Sequence, residues 1–402
     1  MTLDVPILRA GVLARKFCRS ISLANVEAVF ARCFYLRCGD AFICVGEPDI
    51  GNGPLTLIGN IAPLSDLNFR VGQSAAVCER HITLGNSVRF KLDQTESWRS
   101  TAWPICMSPA KLVDTCAALA RRVAADAPEE GLARLVSGVP ETSKRQPPLE
   151  RVARPRIVIF ERWLSGVLDG RRTRVRAFEE AIQGLIGLGP GLTPSGDDFL
   201  VGALALLDAI GEREAHAALA RAIIDALPGS TAPLSACFLR VAAAGHVGEA
   251  LHRAVSSVTT GDVDAVIAAV ENIGHSSGWD MMAGIMTTLR IVVAAQTAAD
   301  SSSLRALVDP IRGIDRGPGR GLELVAPEHG LKRRQATQHI GLAANVAHRS
   351  EPPDLAGERP ERGADFNAEI MKQLAADSFA VRDLLGDNHT GHVGHAVAGI
   401  AE

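Results

Sequence analysis

Three polar segments carry residues able to hold or move charge, and each directly precedes an apolar run. The richest is Gly187-Leu188-Gly189-Pro190-Gly191-Leu192-Thr193-Pro194-Ser195-Gly196-Asp197-Asp198, which leads into Phe199. Glycines at 187, 189 and 191 permit positive φ and close backbone approach, and Ser195 three residues before Asp198 has the spacing of a capping box. Such a loop delivers a helix N-terminus, whose unpaired N–H groups and dipole attract an anion. The Thr193 and Ser195 hydroxyls add donors. A tight structural turn over a well-capped helix is the other reading of the same residues. The loop has neither a Walker lysine nor Rossmann spacing after a strand, so it is not a known nucleotide loop. Asp197 and Asp198 point in different directions on a helix, so one can cap while the other faces a ligand or a divalent ion.

A second segment repeats the device. Ser195-Gly196-Asp197-Asp198-Phe199-Leu200-Val201-Gly202 lies over Ser277-Gly278-Trp279-Asp280-Met281-Met282-Ala283-Gly284. Two helices with the same start are expected, each with a glycine two turns in where the partner backbone can approach. Packed side by side in one direction, they present the N–H donors of Gly196 and Gly278 and two aspartates to one cleft. A chance match between common helix starts is the competing explanation. His275, two residues before the second start, has the pKa for proton transfer if it faces that cleft, and is otherwise a structural hydrogen-bonder. Two lesser signals are Thr231 with Ser235, a third polar helix start, and Gly51-Asn52-Gly53-Pro54. The latter is strong turn chemistry whose functional version is a loop over the cleft.

Elements of two kinds must position these residues. From Ala31 to about Phe90, short apolar runs broken by Gly, Asn and Pro read as strands and turns. Residues 1–108 are therefore expected to form a β-rich domain, and 109–155 a helix and an exposed linker. Residues 156–300 read as a helical domain carrying the motifs, with breaks near 187–196, 228–233, 245 and 274–278. The fold class is α+β. Residues 301–402 are rich in Arg, Gly, Pro and Glu without periodic apolar pattern and read as an irregular or disordered tail, with a short helix between Phe366 and Leu385. His389, His392 and His395 read as part of a solvated tail and not as a metal cluster.

Of the 402 residues 47% are hydrophobic, 22% charged and 4% aromatic, with a formal net charge of −3. That apolar content builds a sizeable core, and the near-neutral balance argues against nucleic-acid binding. The longest apolar stretch, Phe199 to Leu207, is too short to span a bilayer. Eight scattered cysteines with no Cys-x-x-Cys pair and no leader point to reduced thiols in the cytoplasm. Scarce aromatics and abundant Ala, Gly and Leu suit closely packed helices.

Gly51 to Pro54, the run 187–202, Thr231 with Ser235, and Gly274-His275-Ser276-Ser277-Gly278-Trp279-Asp280 together resemble the domain of unknown function 2877 family, associated with the third subunit of oxamate carbamoyltransferase in allantoin catabolism. The resemblance spans residues 20–298. It implies phosphorolysis of oxalurate to oxamate and carbamoyl phosphate with two other subunit types, hence a hetero-oligomer and a small anionic substrate. On that reading Asn52, Gly189, Gly191, Thr193, Ser195, Gly196, Asp197, Thr231, Ser277 and Gly278 bind the anion. Asp198 and Asp280 fix the loops or a divalent cation such as Mg, and His275 shuttles the proton. The alternative is a non-catalytic subunit that binds an anion or scaffolds the others. A free-standing serine hydrolase is weak, because no Gly-x-Ser-x-Gly elbow follows a strand.

Overall fold

The computed structural model describes residues 2–61, 67–104, 108–136, 147–171, 173–274 and 276–308. Its β region starts well before Ala31, where the texture read from sequence begins. Strand β1 (Leu3–Gly11) turns Val5 and Ile7 inward, but its exposed Pro6 and Leu8 hide the alternation by placing apolar residues on the outer face as well. Then come α1 (Val12–Ser20), β2 (Leu23–Val29), β3 (Cys33–Cys38), β4 (Ala41–Gly46), β5 (Thr56–Gly59), β6 (Ser74–Val77), β7 (His81–Leu84), β8 (Val88–Lys91) and β9 (Glu96–Trp98). The strands are ordered β5-β4-β3-β2-β6-β7-β8-β1-β9, and β1 also pairs with β5. That last pairing closes eight strands into a barrel and removes the exposed edges an open sheet would carry. One strand serves three neighbours: β1 runs parallel to β8 through Leu3 to Pro6, antiparallel to β5 through Ile7 to Ala10, and parallel to β9 through Arg9 to Gly11. The interior is filled by Phe34, Leu36, Ile43, Val45, Leu57, Ile82, Leu84 and Phe90, and α1 adds Ala14, Phe17 and Cys18.

Helices follow from Pro109. They are α2 (Pro109–Asp126), α3 (Ala133–Val136), α4 (Pro148–Leu168), α5 (Val175–Leu185), α6 (Ser195–Ala209), α7 (Arg213–Ala226), α8 (Pro233–Ala243), α9 (Glu249–Thr260), α10 (Val263–Glu271) and α11 (Ser277–Val308). The expected α+β order, a β-rich region followed by a helical one, is what the chain adopts. Helix α4 begins at Pro148, inside the stretch read as exposed connection, because Glu150, Ala153 and Ile157 turn into the helical core. Helix α11 continues to Val308, past the change of texture at Ser301. The remaining tail, with the helix expected between Phe366 and Leu385 and the three tail histidines, lies outside the described residues. None of the helices among the described residues is long and apolar enough to cross a membrane.

Helix α6 occupies the centre. Every residue from Ser195 to Leu207 is buried, as expected of a helix with no polar stripe. Its main partner is α11, and their glycines set the distance. A Cβ on Gly202 would sit 2.0 Å from the Met281 carbonyl oxygen, and one on Gly284 1.9 Å from that of Phe199. The backbones touch at both points.

The barrel docks on the helices through β4 and α8. Phe42 packs against Leu234, Cys237 and Val241, with Tyr35, Leu55 and Phe238 at the border. Hence β4 is buried on both faces from Phe42 to Gly46. After β9, Trp103 stacks on His252 of α9 with ring centroids 4.3 Å apart and donates to Asp208 Oδ2 at 2.7 Å.

Candidate functional site

The two motif helices do start side by side and run in one direction. At the glycine after each serine they repeat each other's environment: a Cβ on Gly196 would meet the Leu185 carbonyl at 2.0 Å, and one on Gly278 the Val270 carbonyl at 2.0 Å. The serines are exchanged between the pair. The Ser195 hydroxyl bonds to Asp280, and the Ser277 hydroxyl bonds to Asp198. Thr193 Oγ1 lies 3.0 Å from Ser277 Oγ and also bonds to Asp198. This corrects the capping box. Pro194 is the N-cap of α6 and no side chain caps the helix, because Ser195 spends its hydroxyl on the neighbouring helix's aspartate.

Asp197 faces away from the second motif and braces three segments. Its Oδ1 accepts from the Gly187 N–H at 2.8 Å, and its Oδ2 accepts from the hydroxyls of Ser235, at 2.6 Å, and Thr231. Gly187, Gly189 and Gly191 have φ of 75°, 124° and 92°, which only glycine adopts without strain. Gly189 and Gly191 thus shape the loop. The Gly196 N–H is committed to the Leu188 carbonyl at 2.8 Å, and the N–H groups of Asp197 and Asp198 to Pro194. Of the hydroxyl-bearing residues proposed from sequence, Thr193 and Ser277 are the ones that line a cavity.

That cavity, about 860 Å³, lies between the barrel and the helices. Thr193, Asp198 and Ser277 line one side, and Asn52 with its flanking Gly51 and Gly53 lines the other. The Asn52 loop is pinned from two directions. The Pro54 carbonyl accepts from the N–H groups of Leu13 and Ala14 at the start of α1, at 3.0 and 2.9 Å. On the helical side Glu249 Oε2 accepts from the Asn52 N–H at 3.0 Å and from Nδ2 at 2.6 Å, while the Glu249 N–H donates to the Asn52 carbonyl at 2.8 Å. Burial pushes Glu249 up, but the two Asn52 donors and the charges of Arg253 and Arg9 outweigh it and hold the group below the usual range. It is ionised at neutral pH. Nothing in the local sequence marked Glu249 beyond an acid in a helix's first turn.

Asp198 and Asp280 occupy equivalent places with different surroundings. Asp280, 1% exposed, accepts from the Leu132 N–H at 2.6 Å, and Gly131 lies against its carboxylate. Burial raises its pKa, and the bonds from Ser195 and Leu132 oppose the rise. At Asp198 the corresponding space is the cavity, and its Oδ2 is buried without a hydrogen-bond partner. Burial first, then the neighbouring charges of Asp280 and Asp197, push Asp198 up to about 8 against the bonds from Ser277 and Thr193. An acid with such a pKa in a cleft is a strong candidate for proton transfer. His275 lies outside the described residues, while its neighbours Gly274 and Ser277 line the cavity. Among the described residues no three His, Cys, Asp or Glu side chains are grouped to hold a metal ion.

Residues 185–289 match the family model described as oxamate carbamoyltransferase subunit AllH, the family that the motif residues resemble. The matched span holds the glycine-rich loop, Asp197, Asp198, Thr231, Glu249, Ser277 and Asp280, whereas Asn52 lies outside it. No solved structure matches the chain.

Proposed function

We propose, on the premise that residues 185–289 match the family of an oxamate carbamoyltransferase subunit, that this chain is a subunit of such an enzyme and works with other subunit types. The cavity beside Asp198 is its substrate site. The observation that carries this reading is the buried, unpartnered Oδ2 of Asp198, a residue that lines the cavity within the matched span. A buried carboxyl oxygen without a partner is costly, so its retention calls for a ligand group.

The reaction exchanges the carbamoyl group of oxalurate between nitrogen and phosphate. A phosphate oxygen attacks the carbamoyl carbon, the bond from that carbon to the oxamate nitrogen breaks, and the nitrogen takes up a proton. In reverse, the oxamate nitrogen gives up a proton as it attacks carbamoyl phosphate. Asp198 holds that proton in one direction and receives it in the other, which a pKa pushed up to about 8 suits at neutral pH. Ser277 and Thr193 orient the carboxyl group, and Asn52 closes the cavity from the barrel side.

The test is carbamoyl transfer by the assembly reconstituted with its partner subunits. Asp198→Asn is expected to cut turnover at least 100-fold while the assembly still forms, as loss of general acid–base catalysis does. Turnover within threefold of the parent would refute the catalytic role and leave the scaffolding alternative.

A further inference from the structure

We propose that the cavity recognises the uncharged, N–H-bearing end of its ligand, a carboxamide or ureido group, through Asp198 Oδ2 and Asn52 Oδ1. This rests on the placement of the substrate in the cavity and adds which part of the molecule this chain reads. Two residues of the wall carry buried, unpartnered acceptors, Asp198 Oδ2 and Asn52 Oδ1, the residues being 3% and 8% exposed. Both belong to the cavity lining. Buried acceptors without partners select a ligand that brings donors, because the wrong ligand leaves them unpaired.

The chain itself carries a worked example of what fits. At Asp280, related to Asp198 by the repeated helix start, a carboxylate oxygen is met by a backbone amide, the Leu132 N–H at 2.6 Å. An amide N–H is therefore the donor that this local geometry accommodates. The rest of the wall agrees. Among the described lining residues there is no Lys or Arg, while Glu249 is ionised through its bonds with Asn52. The hydroxyls of Thr193 and Ser277 are already engaged with each other and with Asp198. An oxyanion would meet acceptors where it needs donors.

The groups facing Asp198 are Ser277 and Thr193, with the charges of Asp280 and Asp197 behind it. Glu249, His246, Cys33 and Tyr35 line the same cavity.

Isothermal titration of the full chain with three probes tests this: biuret, uncharged and rich in N–H; oxalate, a small dianion without N–H; and inorganic phosphate. Biuret is expected to bind at least tenfold more tightly than either anion. Asp198→Asn turns an amide N–H towards the cavity in place of Oδ2, so biuret should weaken tenfold or more and oxalate should strengthen, with an unchanged circular dichroism spectrum. A preference for oxalate or phosphate, an absence of biuret binding, or biuret binding indifferent to Asp198→Asn would each overturn the proposal. An absence of biuret binding is also the outcome if a partner subunit's backbone fills the cavity as Leu132 fills its counterpart. The two readings fail separately: biuret binding with transfer untouched by Asp198→Asn sinks only the carbamoyltransferase role, and an oxalate-selective cavity with transfer abolished sinks only this inference.

Discussion

Asp197 and Asp198 are adjacent, both acidic and both buried, yet the chain uses them in opposite ways. Asp197 is saturated by Gly187, Thr231 and Ser235 and holds the loop to α8. Asp198 is left short of a partner at the cavity. The difference has a signature in stability. In the folded chain the Asp198 pKa is raised to about 8 from 3.8, so the folded state holds a proton that the unfolded state releases across that interval. Its contribution is fully present below about pH 4 and is lost as pH rises towards 8. Asp198→Asn removes the titration. Thermal melts from pH 4.5 to 8 are expected to show the variant gaining on the parent by an amount on the order of a few kcal/mol; parallel profiles would mean that the acid is not held protonated. The residues alone led to the expectation that one aspartate caps while the other faces a ligand or a divalent ion, and the resemblance gave Asp197 to the anion. The structure instead saturates Asp197 with protein donors, which sequence could not show because they come from residues up to 38 positions away.

At the scale of elements, the candidate site depends on α6 and α11 lying in backbone contact with their starts aligned. Gly202 and Gly284 permit this, each under the other helix's carbonyl. Gly202→Ala or Gly284→Ala must push the helices apart, at a cost of about 2–3 kcal/mol as for other overpacked interiors, and must also loosen the Ser195–Asp280 and Ser277–Asp198 exchange. Chemical denaturation is the check, and a loss below about 0.5 kcal/mol would show that the contact is not tight. This pairing was legible in sequence, since the repeated Ser-Gly-x-Asp and the glycine two turns later mark both the common start and the contact. The capping role of Ser195 was misread, because a serine three residues before an acid looks the same whether its hydroxyl turns to its own helix or to the next. The first strand was missed for a related reason: apolar residues on both faces of β1 carry no alternation to read.

On the scale of the molecule, a closed barrel and a helical layer meet at β4 and α8 and leave a cavity beside the junction. Motifs that were separate in sequence, Gly51 to Pro54 and the two helix starts, become opposite walls of one space. The pattern of apolar runs read correctly as α+β, but no residue pattern encodes how the barrel and the helices dock. That depended on Phe42, Leu234, Cys237 and Val241 burying one another, and on the Asn52–Glu249 clasp across 197 positions. The broad anion site expected at two helix N-termini narrows accordingly, since the Gly196 N–H is spent on Leu188 and the cavity wall offers Asp198 and Asn52 as acceptors. The most direct measurement is a crystal structure of the full chain with oxamate at saturating concentration. Density in the cavity, with the amide nitrogen within hydrogen-bond distance of Asp198 Oδ2 or Asn52 Oδ1, is the expected result; oxamate bound elsewhere on the chain with this cavity empty of it would contradict the assignment.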